Sequence, residues 1–192
     1  IGNQVMQVVT SGFGNAIVGG GAAQALTTGS NNACFGYRAG SAMVANNENT
    51  AIGNQAYASS TSGTNNTFVG SLAGFAAGSG SDNTAIGRTA LTGVSTGTRN
   101  VAIGQNAMNG TTTGSDNICI GRNALCGLNS DSSCIVIGTN VTGVGSNTTT
   151  IGTAYIPAGV GTSFLKYNTA NGAVTRDVSS LRYKTLLPDD PP

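Results

Sequence analysis

The chain has 192 residues, among them 30 glycines, no histidine and no tryptophan, and only 8% are charged. Its formal net charge of +1 leaves no electrostatic footprint for nucleic acid or an anionic membrane surface, and no apolar run approaches the ~18–20 residues of a membrane span. With 39% hydrophobic residues and 4 prolines, the chain also lacks the charged, proline-rich composition of disorder, so its small residues point to closely stacked backbone. It opens on Ile1 with no signal-peptide pattern, which reads as a piece of a longer protein.

From Asn15 onward one pattern recurs. NAIVG (15–19), NACFG (32–36), NTAIG (49–53), NTFVG (66–70), NTAIG (83–87), NVAIG (100–104), NICIG (117–121) and CIVIG (134–138) follow one another at intervals of 17 residues. A ninth segment, NTTTIG, ends at Gly152 after a shorter step of 14. A fixed period of this length is the signature of a solenoid, each repeat being one turn of the coil.

Each segment predicts a short strand ending at a glycine corner. The residue before the glycine is large and apolar (Val18, Phe35, Ile52, Val69, Ile86, Ile103, Ile120, Ile137), and the residue before that one is mostly small (Ile17, Cys34, Ala51, Phe68, Ala85, Ala102, Cys119, Val136). Successive strand residues point to opposite faces, so one face carries a large apolar ladder and the other a small one. Apolar residues on both faces predict burial on both faces. Three residues past the corner, Ala22, Ala39, Ala56, Ala73, Ala90, Ala107 and Ala124 mark a second, closely packed leg. One coil is thus expected to be two short strands and two turns, stacked on the next at ~4.7–4.8 Å.

So thin a coil encloses too little to offset its ordering cost of ~1 kcal/mol or more per residue. No helical periodicity in residues 1–152 supplies a cover for the second face. Self-association is the economical answer, and we expect a parallel homotrimer, although periodicity alone does not exclude a dimer. In this reading the small column, including Ala51, Ala85, Ala102 and Cys119, faces the trimer axis, where small residues permit close approach.

Three segments follow in chain order: solenoid repeats over 1–152, a tip or junction over 153–178, and a polar end over 179–192. The last 40 residues hold Tyr155, Phe164, Tyr167 and Tyr183 and are richer in charge than the coils. Such a stretch fits a binding tip and a folding junction alike, so ligand-binding residues stay unassigned.

The asparagine column (Asn15, Asn32, Asn49, Asn66, Asn83, Asn100, Asn117) reads first as a stacked amide ladder, with a carbohydrate or metal row as the sharper alternative. Glu48, Asp82, Asp116 and Asp131 are too few for a calcium roll, and the nine-residue calcium repeat is absent. No CxxC or histidine suggests zinc. No metal and no cofactor is expected. Cys34 and Cys119 read as small hydrophobes, too far apart along the stack for a disulfide. Cys126 and Cys134, eight residues apart, flank one turn, and both a disulfide and free thiols are open to them. Arg38, Arg88, Arg99 and Arg122 balance the acids on a solvated surface.

Two other functions fit less well. Ice binding wants a recurrent Thr-x-Thr array, and TTT (111–113) does not recur in register. A hexapeptide acyltransferase has a period of six and a catalytic histidine. The chain is therefore expected not to be an enzyme.

With these motifs in hand, residues 10–152 resemble the head repeats of trimeric autotransporter adhesins and the related NTAIGxxAL arrays of tail-fibre-like surface proteins. The 17-residue coil is longer than is usual in such heads, and Cys134 stands where the motif has Asn. The resemblance implies an all-β, left-handed parallel β-roll with three chains interlocked, outside the cell on a bacterial surface or viral fibre. Adhesion to a glycan or another envelope receptor is the implied function, with a pure fibre spacer as the alternative. It implies no nucleic acid and no membrane insertion.

FLKYNTANGAVTRDVSSLRYK (164–184) is similar to the junction between fibre proteins and an endosialidase-type intramolecular chaperone. That family cuts itself before a serine in an S-[SD]-x-R-x-K motif. The similarity implies Ser179 as nucleophile, Lys184 as its partner, a cut between Val178 and Ser179, and 179–192 as the start of a chaperone whose remainder is not in this sequence. A lysine is able to activate a serine where no histidine is present. The competing reading takes TANGAV (169–174) as a hairpin turn closing the rod and SSLRYK as a polar tail.

Overall fold

A computed structural model describes residues 2–4, 10–93, 96–110, 113–127 and 130–152, and the backbone of 164–168 and 173–177. The described chain is an all-β solenoid of about eight turns, each of ~17 residues. Its strands are β1 (Ala16–Val18), β2 (Ala33–Phe35), β3 (Thr50–Ile52), β4 (Thr67–Val69), β5 (Thr84–Ile86), β6 (Val101–Ile103), β7 (Ile118–Ile120), β8 (Ile135–Ile137), β9 (Thr148–Ile151), β10 (Phe164–Asn168) and β11 (Ala173–Asp177).

All eleven form one sheet in sequence order. β1 to β9 are parallel and pair like with like, so that Ile52 lies opposite Val69 and Ile103 opposite Ile120. The 14-residue step keeps the faces in phase, because Ile137 still lies opposite Ile151. β10 then pairs antiparallel with β9, and β11 antiparallel with β10. Both lie within the 153–178 segment and continue the sheet of the coils.

Each coil has one strand rather than the two expected. The second leg is a string of turns, because two of its positions are left-handed in coil after coil. Arg38, Gln55, Leu72, Thr89 and Asn106 share one such column with φ of 54–59°. Tyr57, Leu91 and Met108 share the other, with φ of 52°, 54° and 51°. Extended strand backbone does not visit that region, and bulky residues held there store about 1–3 kcal/mol each. Hydrogen bonds from coil to coil hold the leg in place, as from Tyr57 N–H to Ala73 C=O at 2.9 Å and Met108 N–H to Ala124 C=O at 2.8 Å.

The corner glycines make the stack possible. Gly53 sits at φ +137°, and a Cβ there would fall 2.5 Å from the Gly70 carbonyl oxygen of the next coil. Only glycine allows both the conformation and the approach.

The core lies between the strand and the turn leg of the same chain. Ala51, Phe68, Ala85, Ala102, Cys119 and Val136 are fully buried there, as are Tyr57, Leu91 and Met108 from the turn leg. The two sides are complementary in volume: Ala51, Ala85 and Ala102 stand six positions before Tyr57, Leu91 and Met108, whereas Phe68 stands six before Gly74. The interior is therefore filled by one chain alone.

Candidate functional site

The small column does not face an axis between chains. Ala51, Ala85, Ala102 and Cys119 are all fully buried inside their own coils. Small side chains there answer to the close approach of the turn leg, a demand identical in kind to that of a neighbouring chain. Alternation then places the large column outside. Val18, Phe35, Ile52, Ile86, Ile103, Ile120, Ile137 and Ile151 are each 36–48% exposed in the single chain.

Beside this ladder runs a second, half-buried column from the first position of each strand: Ala33, Thr50, Thr67, Thr84, Val101, Ile118 and Ile135. Neither column contains a charge. Both are β-branched and apolar in β6, β7 and β8, which gives the sheet face its most hydrophobic stretch. This face is the candidate functional surface.

From Asn32 to Asn117 the asparagine column is buried and hydrogen-bonded from coil to coil, which removes it as a surface row for sugars or ions. Asn100 is typical. Its backbone N–H donates to Asn83 Oδ1 at 3.0 Å, its Nδ2 donates to Gly114 C=O at 2.9 Å and to Asn83 Oδ1 at 3.1 Å, and its own Oδ1 accepts from Asn117 N–H at 3.1 Å. Every buried donor and acceptor of that amide is thereby engaged. Cys134 ends the ladder in the same manner: its N–H donates to Asn117 Oδ1 at 2.9 Å and its Sγ to Gly145 C=O at 3.0 Å.

A surface column runs along the left-handed position before the strand, through Asn65, Asp82, Arg99 and Asp116. Arg99 and Asp116 form a two-pronged pair, Nε to Oδ1 at 2.6 Å and Nη2 to Oδ2 at 2.9 Å. The guanidinium holds the Asp116 carboxyl below its ordinary range. Both groups are exposed, so the pair contributes little to stability. Near the first coils, Gln24, Tyr37 and Arg38 help line a shallow polar hollow of about 360 Å³.

No protein-family model, curated protein or solved structure matches the chain. Among the described residues no helix is long and apolar enough to cross a membrane, and no group of three or more His, Cys, Asp or Glu side chains is placed to hold a metal. Ser179 and Lys184, with the rest of 179–192, lie outside the described residues.

The structure places no bond between any two of the four cysteines. Cys126 lies against Cys119, Sγ to Sγ at 3.3 Å, and also interacts with Cys134, whose own Sγ donates to Gly145 C=O at the end of the ladder. Sequence spacing leaves a Cys126–Cys134 disulfide and free thiols both open, and the structure shows no bond between these two sulfurs. The two left-handed columns were missed, because arginine, leucine and tyrosine carry no signal for positive φ.

Proposed function

We propose that the chain is a segment of a self-associating extracellular fibre, three copies wound in parallel, that presents a receptor-binding surface to a glycan or other envelope component. The assembly rests on one observation. An uncharged, β-branched ladder runs the length of the solenoid and stays about 40% exposed at Ile52 and Ile86. Covering it in a partner is worth roughly 1 kcal/mol per residue. A second copy of the chain offers the same ladder at the same spacing, so contacts fall in phase at every coil. The axis then lies on the Val18-to-Ile151 column, with the Ala51 column sealed inside each chain.

The threefold count, the left-handed winding and the surface location follow from the resemblance to trimeric adhesin heads. So does the recognition role, to which the hollow lined in part by Gln24, Tyr37 and Arg38 adds one aromatic ring, one cation and one amide as candidate contacts. The spacer reading is favoured by the uniformity of the coils. No catalysis on an external substrate is part of either reading. Self-processing by Ser179 and Lys184 remains a proposal for the full-length parent: intact mass should show a cut at Val178–Ser179 that Ser179→Ala abolishes, and a cut elsewhere overturns it.

Light scattering coupled to size exclusion tests the assembly, with three copies expected and a stable folded monomer overturning it. A glycan array with the assembled protein tests recognition. Binding that Tyr37→Ala abolishes supports the adhesin reading, and binding to no glycan or envelope preparation leaves the spacer.

A further inference from the structure

We propose that Cys119 and Cys126 form a disulfide across the interior of one coil, clamping β7 to its own turn leg near the end of the regular stack. The proposal is independent of the function above. The two sulfurs lie 3.3 Å apart and both residues are buried. A disulfide has S–S ≈ 2.05 Å, so closure needs a movement of about 1.2 Å, within reach of a small side-chain rotation.

The neighbouring coils show how unusual this filling is. Where β5 and β6 set Ala85 and Ala102 against Leu91 and Met108, the β7 coil sets one thiol against another. The remaining thiols are otherwise engaged. Cys134 donates to Gly145 C=O at 3.0 Å, and Cys34 lies 3.9 Å from the thioether of Met43, which has no bond to offer. Cys126 also has Cys134 within side-chain hydrogen-bonding reach, but Cys119 lies at 3.3 Å and dominates its surroundings.

The oxidant required is a low-molecular-weight disulfide such as oxidised glutathione. One protein thiol loses its proton, and the thiolate attacks the small disulfide, expelling one small thiolate. The second protein thiolate attacks the mixed disulfide and expels the other. Two protein S–H bonds are lost, one protein S–S bond forms, and the small disulfide is reduced to two thiols. The hydrogen bond with Cys119, and then burial, push the Cys126 thiol well above its ordinary value, and both residues are buried away from a small disulfide in the folded chain. Bond formation therefore belongs to folding, before the turn leg closes over β7.

The test refolds the 192-residue chain with excess oxidised glutathione, alkylates remaining thiols in denaturant, and digests with trypsin without reduction. Cleavage after Arg99, Arg122 and Lys166 puts Cys119 on one peptide and both Cys126 and Cys134 on the next. A linked pair of these peptides, fragmenting to Cys119–Cys126 with Cys34 and Cys134 alkylated, is expected. Cys134→Asn should form the same bridge. Cys119→Ala, which installs the residue β3, β5 and β6 already carry, should fold and form none. Four alkylated thiols, or a bridge that uses Cys134, overturns the proposal.

Discussion

Phe68 occupies a column otherwise held by smaller side chains, and the chain makes room for it at Gly74. A Cβ at Gly74 would stand 2.6 Å from the Phe68 ring. Above it, Tyr57 tilts against Phe68 with ring centroids 4.7 Å apart, and its hydroxyl accepts from Asn46 Nδ2 at 3.2 Å and Asn66 Nδ2 at 3.3 Å. Phe68→Ala should lower stability by about 3–5 kcal/mol through the cavity it leaves. Adding Gly74→Leu copies the Ala85 and Leu91 arrangement, and Leu91 already adopts φ 54° in that column. The double variant should therefore recover about 1–3 kcal/mol in urea melts, while Gly74→Leu alone destabilises. This anticorrelation at a separation of six is present in the sequence, but it becomes readable only once the length of the turn leg is known.

Cys34 carries a second prediction at the same scale. Burial pushes its thiol from about 9 up to about 12. Between those values the unfolded chain has released its proton and the folded chain has not, so stability falls as pH rises, by at most about 1.4 kcal/mol per unit for this group. Urea melts across that window should show a shallower decline in Cys34→Ala than in the parent.

At the scale of the element, the asparagine row is the spine that fixes each strand's start. Asn100→Ala removes the acceptor for Asn117 N–H and the donor for Gly114 C=O, both buried. A loss on the order of 2–3 kcal/mol is expected by chemical denaturation. Asn15→Ala should cost less, since Asn15 is only partly buried and begins the row. The strands and this row were legible because period and alternation act locally. The turn leg was not: its conformation is imposed by coil-to-coil hydrogen bonds, and residues such as Leu72 at φ 59° go against their own preference.

At the scale of the molecule, the sequence showed two apolar ladders but not which one faces inward. Alternation separates the faces without naming them, and small size fits an interior as well as an interface. Two substitutions one residue apart resolve the matter. Ala102→Asp places a charge in the fully buried core and should cost several kcal/mol, leaving no folded product. Ile103→Asp lies on the exposed ladder and should keep the parent's circular dichroism while giving a monomer in light scattering. An Ile103→Asp protein that assembles normally places the contact elsewhere.

A stack of near-identical coils has a translational ambiguity that ordinary domains lack. A strand that docks one coil too far meets the same asparagine, the same small residue and the same isoleucine, and forfeits only the skipped coil. The oversized pair Tyr57 and Phe68, with its cut-out at Gly74, breaks that symmetry, because Leu91 and Met108 stand at the same position in the next two coils and leave no such room. Cys134 at the end of the amide row and the 14-residue step to β9 break it again at the far end. These irregular positions act as index marks, telling each turn of the chain which neighbour is its own and setting where the count stops.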